Sequence, residues 1–175
     1  HFYDHIEDAA IASELGLDPA AEGGETTEHE AERLARERPV VRLVADMIAA
    51  AVQRRASDIH LRPGEQGADI LYRIDGEMVP VRRLMHALQP AVVSRIKVIA
   101  GMNLAEHRHA QDGRTTFALD TGRKVDLRVS ILPAVHGEGV VVRLLATSED
   151  LRDSTQPGPP AAHPPHPPPR SRPRT

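Results

Sequence analysis

KVDLRVSILPAVHGEGVVVRLL, residues 124 to 145, reads as two strands joined by a turn. Both ends are rich in β-branched residues, and Pro133, Gly137 and Gly139 interrupt them in the middle. In the first half Val125, Leu127, Val129 and Ile131 alternate with Asp126, Arg128 and Ser130, the period-two pattern of a strand with one buried and one exposed face. Arg128 therefore points away from the core. If the strands fold back about residues 135 and 136, antiparallel pairing sets Arg128 directly opposite Arg143. Like charges so placed repel unless an anion lies between them. The plainer reading is that each arginine snorkels or meets a carboxylate such as Asp126 or Glu138.

Outward from this hairpin, the chain of 175 residues with 40% hydrophobic content allows one domain with flexible ends. A net charge of −3 argues against a general nucleic-acid binder, so any anion site must be local. The absence of cysteine excludes disulfides and thiolate metal sites. No run approaches the roughly 18 apolar residues of a membrane span, which leads us to expect a soluble, cytoplasmic protein. A chain opening at His1 reads as a fragment whose beginning lies upstream.

Residues His1 to Leu17 carry a helix-like apolar pattern closed by Gly16, and the acidic run Asp18–Glu32 reads as a solvated linker that is at most helical in its later part. Pro39 opens the first core helix, with Val40, Leu43, Val44, Met47, Ile48, Ala51 and Val52 at three- and four-residue steps to about Arg55. A short strand over IHLRP follows, with Asp58 and His60 on one face, then a strand at Asp69–Asp75, a tight Asp75-Gly76 turn and a third strand at Glu77–Leu84. Gln89-Pro90 opens a second helix, with Arg95 and Lys97 expected to face water and Gly101 at its end. Ala105–Gly113 reads as a polar loop before a strand at Arg114–Leu119, and Asp120–Gly122 turns the chain into the final hairpin. Between Gln156 and Thr175 lie nine of the fifteen prolines, a composition of extended or disordered chain, whether native or from a shifted reading frame.

The ordered motifs PVVRLV (39–44), ASDIHLRP (56–63), YRIDG (72–76), SRIKVIAGMNLAE (94–106), QDGR (111–114), VDLRVSILP (125–133) and HGEGVVVRLL (136–145) closely resemble the secretion-ATPase superfamily. The likeness is to the domain that precedes the hydrolytic core in the ATPases of type II secretion and type IV pilus assembly. It implies an α+β fold with a PAS-like antiparallel sheet over residues 39–146. A partly helical acidic segment (1–38) and a disordered Pro-rich tail (147–175) would flank it. It also implies a place in a hexameric motor at the cytoplasmic side of the bacterial inner membrane. The implied partners are a P-loop core, neighbouring subunits and membrane platform proteins, and the implied cofactors are ATP and Mg. In that family arginines of this domain reach ATP phosphates, and the matching positions are Arg128 and Arg143, with Arg108 and Arg114 in the adjoining motifs. Guanidinium forks suit phosphate oxygens.

The chain departs from the family pattern at Glu106-His107-Arg108-His109-Ala110, where two adjacent arginines and a proline are usual, and at Gly139, where a basic residue is common. No G-x-x-x-x-G-K-[ST] loop occurs in the 175 residues, so we expect no ATP hydrolysis by this chain alone. His107 and His109, with His60 or His136, are read as exposed side chains rather than metal ligands. The competing reading is a free-standing adaptor or a truncated, non-hydrolytic remnant that binds a protein partner.

Overall fold

The computed structural model describes residues 2–17 and 27–145, and the Pro-rich tail and most of the acidic run lie outside the described residues. Four helices, α1 (Phe2–Glu14), α2 (Glu28–Leu34), α3 (Arg38–Gln53) and α4 (Gln89–Ala100), accompany six strands. The strands are β1 (Asp58–Gly64), β2 (Gly67–Ile74), β3 (Glu77–Met85), β4 (Gln111–Ala118), β5 (Lys124–Ala134) and β6 (Gly137–Leu145). They form one antiparallel sheet in the order β3-β2-β1-β6-β5-β4, as the α+β reading requires.

Local chemistry explains the elements. Pro39 and Pro90 each stand in the first turn of a helix, where a missing N–H costs nothing. Gly101 closes α4 in the left-handed conformation that favours glycine. Asp75 and Gly76 both have positive φ, which matches the right-handed twist of the strands they join and lets Ile74 pair with Glu77.

The period-two expectation for β5 holds from Lys124 to Ile131: Val125, Leu127, Val129 and Ile131 are buried, while Asp126 and Arg128 are exposed. These four residues join Ile59, Leu61, Ile70, Tyr72, Val140 and Val142 under Leu43, Val44, Met47 and Ile48 of α3 and Val92, Val93 and Ile96 of α4. Burying each such side chain contributes about 1.5–3 kcal/mol, which ties both helices to one face of the sheet. The Tyr72 hydroxyl donates to the Met47 carbonyl at 2.7 Å, so even the polar group in this layer is satisfied.

The short helices upstream of α3 pack as well. Leu34 of α2 is buried with Val40 and Ala91, and Ala31 is buried beside them. Asp8 of α1 is buried against β3, where it pairs with Arg82 and accepts from the Met85 N–H at 3.3 Å. β4 opens at Gln111, three residues earlier than its apolar pattern predicts, because its first residues pair with the tail end of β5. Tertiary pairing overrides a locally polar sequence there.

Candidate functional site

Because α3 and α4 cover one face of the sheet, the alternate residues of every strand form the opposite face. Antiparallel register aligns these residues into rows that cross the strands. One row runs from Arg114 (β4) to Arg128 (β5), Arg143 (β6), Asp58 (β1) and Arg73 (β2). The expected apposition of Arg128 and Arg143 is therefore present, and β4 adds a third arginine on the other side of Arg128. Four arginines against one aspartate leave three formal positive charges in the row.

The charges are not evenly compensated. Asp58, 5% exposed, accepts from Arg143 Nε at 3.2 Å and Ser57 Oγ at 2.8 Å, and it faces Arg73 Nε at 3.6 Å. Burial pushes its carboxyl upward, but the Ser57 hydroxyl and the Arg143 guanidinium outweigh that and hold it below the usual 3.8. Its neighbour His60, on the same face, has its pKa lowered by burial and by Arg73 and Arg62, against the opposing pull of Asp58. The carboxylates expected to serve the arginines are engaged elsewhere. Asp126 accepts from Thr116 Oγ1 at 2.8 Å, and Glu138 pairs with Lys97 and His107.

Among the described residues Arg114 and Arg128 have no carboxylate partner, and both are exposed. Like charges directly opposite on neighbouring strands are destabilising, and Arg128 has an arginine opposite it on each side. An anion bridging the guanidinium groups turns that cost into charge-assisted hydrogen bonds.

Arg108 stands apart from the row. It is exposed in the loop before β4, and the three residue steps from Gln111 to Arg114 alone span about 10 Å. Its loop is nonetheless braced without the family's proline. Glu106 Oε1 accepts from the backbone N–H groups of Arg108 at 2.7 Å and His109 at 3.0 Å. Gln111 Nε2 donates to the Asn103 carbonyl at 3.0 Å, and Lys97 Nζ donates to the Glu106 carbonyl at 2.7 Å.

Lys97 corrects one expectation: it does not face water. Its side chain is fully buried, with Nζ 2.9 Å from Glu138 Oε1, so it joins α4, the Arg108 loop and the β5–β6 hairpin. Helical spacing failed here because α4 is covered on most of its circumference, with Ala91, Val92, Val93, Ser94, Ile96 and Lys97 all buried. The one legible hint was a polar loop following α4 that could return a carbonyl to the lysine.

Two of these histidines lie beside carboxylates. His107 Nδ1 lies 3.2 Å from Glu138 Oε2 and its Nε2 lies 3.4 Å from Glu28 Oε1, while His109 Nδ1 lies 3.2 Å from Glu106. Among the described residues no three such side chains group to hold a metal ion. No described helix is long and apolar enough to cross a membrane.

The chain is 49% identical over 112 residues to type II secretion system protein E of Xanthomonas campestris pv. campestris, covering 64% of this chain and 20% of that protein. It is 42% identical over 120 residues to the type IV pilus assembly ATPase PilB of Myxococcus xanthus, covering 69% of this chain and 21% of PilB. It thus spans about a fifth of the length of these relatives. Among solved structures, the Legionella pneumophila ATPase DotB aligns with a TM-score of 0.45 and 18% identity, over 66% of this chain and 35% of DotB. A family model described as Type II/IV secretion system protein matches residues 33–158, most of the chain, and the chain belongs to that family.

Proposed function

We propose that this chain is the N-terminal, arginine-presenting domain of a type II secretion or type IV pilus assembly motor ATPase. In this reading Arg114, Arg128 and Arg143 contact the phosphates of ATP held by a P-loop core, and Arg108 approaches from the adjoining loop. The observation that supports it is the row on the open face: three adjacent strands present arginines, and two of them have no carboxylate partner among the described residues. The donor set fits an anion. It does not fit Mg, which would be held by the core together with the phosphates.

The domain's own contribution is charge placement. Guanidinium groups on a rigid sheet supply preorganised donors to charge developing on a transferred phosphoryl group. In the assembled motor the domain works on the cytoplasmic side of the membrane with neighbouring subunits of a hexamer and with membrane platform proteins. Without the core the chain turns over no ATP.

Grafting residues 33–145 in place of the matching segment of Myxococcus PilB tests this reading. Arg128→Ala is expected to lower turnover by roughly 10³-fold, with Arg114→Ala and Arg143→Ala also impaired. Turnover per folded molecule unchanged in all three variants would overturn the reading and favour an adaptor.

A further inference from the structure

The only carboxylate in the arginine row is Asp58, and it does not sit among the arginines as a general counter-charge. Register places it between Arg143 of β6 and Arg73 of β2, so one nearly buried carboxylate is shared by two guanidinium groups. Its contact to Arg143 is to Nε, at 3.2 Å. A guanidinium has five N–H donors, and binding through Nε–H leaves the four on the terminal nitrogens to make a forked contact elsewhere. The Arg143 side chain is 62% exposed in spite of this bond, so its far end is reachable from outside.

Arg73 is held separately. Its Nη1 donates to the Gly76 carbonyl at 3.0 Å, which draws it toward the β2–β3 turn and away from the row's centre. Ser57, immediately before Asp58, donates to Oδ2 at 2.8 Å, leaving Oδ1 for Arg143. The carboxylate is thus oriented by one neighbour and aimed at another. Arg128 and Arg114 have no equivalent support among the described residues.

We propose that Asp58 is a positioning residue, which fixes Arg143 through Nε so that its terminal nitrogens face the anion gripped by the arginine row. This rests on the reading of the row as a phosphate site. Asp58 does not touch the phosphates itself. It removes the rotamer freedom of one long side chain before the nucleotide arrives, and it screens Arg143 from Arg73. A long guanidinium held in place loses less entropy on binding than a free one.

The experiment uses the PilB graft described above, with Asp58→Asn, Arg143→Ala and the double variant. Asp58→Asn is expected to lower kcat by about 10-fold to 100-fold, the scale of a misplaced catalytic contact, with a smaller change in KM for ATP. The double variant is expected to match Arg143→Ala alone, because Asp58 acts only through that arginine. If Arg143→Ala loses turnover and Asp58→Asn does not, or if the two losses multiply, the proposal falls while the phosphate reading stands. If Arg143→Ala keeps full turnover, the proposal falls, and the phosphate reading falls with it only if Arg114→Ala and Arg128→Ala keep theirs as well.

Should Asp58→Asn fail to fold, carboxyl-detected NMR on the present chain decides the matter. Asp58 in the Arg143→Ala variant is expected to titrate at a higher pH than in the parent. No rise in Arg143→Ala would overturn the proposal.

Discussion

The two halves of the sheet carry arginines in comparable number and treat them differently. On β2 and β3, Arg73 faces Asp58, Arg83 Nε donates to Asp69 Oδ1 at 2.9 Å, and Arg82 pairs with the buried Asp8 of α1. On β4 and β5, Arg114 and Arg128 face only each other and Arg143. Nearby carboxylates exist, but Asp112 and Asp126 accept from Ser130 and Thr116 instead. A sheet with matched arginines needs nothing further. One with unmatched arginines in register carries a repulsion that an anion relieves, and the proposed function takes the compensated half as scaffold and the uncompensated half as the surface for phosphate.

The largest effect that separates the halves is in turnover. In the PilB graft, Arg128→Ala is expected to cost roughly 10³-fold in rate and Arg83→Ala to leave rate per folded molecule nearly unchanged. Comparable losses for both would erase the contrast. In stability the order reverses: urea denaturation of the present chain should show Asp8→Ala destabilised by about 1–3 kcal/mol, because a buried acceptor for the Met85 N–H and for Arg82 is removed. Arg128→Ala should change stability by no more than about 0.5 kcal/mol. An Asp8 variant as stable as the parent would mean that the β3 pairing is not structural.

The smallest effects are in pH dependence, and they sharpen the boundary between the halves at β1. The folded-state pKa of Asp58 lies below its ordinary 3.8, so its stabilisation is full above that value and is lost as pH falls through the folded pKa. The His60 pKa is also lowered, from 6.5, so the folded state prefers neutral imidazole; that contribution is present above 6.5 and lost as pH falls through the folded pKa. His60→Gln should therefore flatten the stability profile below pH 6.5, whereas Asp58→Asn should flatten it below 3.8 and steepen it in the His60 range, because it removes the carboxylate that opposes the His60 shift. Thermal melts across this range check both, and an unchanged profile in either variant would remove that group from the account.

The sequence by itself determined the hairpin, its register and its faces. Alternation of period two sorts Val125 to Ile131 from Asp126 to Ser130, a Pro/Gly-rich centre sets the fold-back, and antiparallel pairing then places Arg128 opposite Arg143. The α3 and α4 helices and the Asp75-Gly76 turn were legible for the same reason, since each is encoded by residues close together in the chain. Only the tertiary structure decided the rest of the row. Arg114 joins Arg128 through the β4–β5 register, which includes polar residues that carry no strand pattern, and Asp58 reaches Arg143 across 85 positions of sequence. The burial of Lys97 escapes a helical wheel, which reports one covered face, whereas α4 is enclosed by the sheet, α2 and the Arg108 loop together. Which charges find partners depends on strands that meet only after folding, and no local pattern records that meeting.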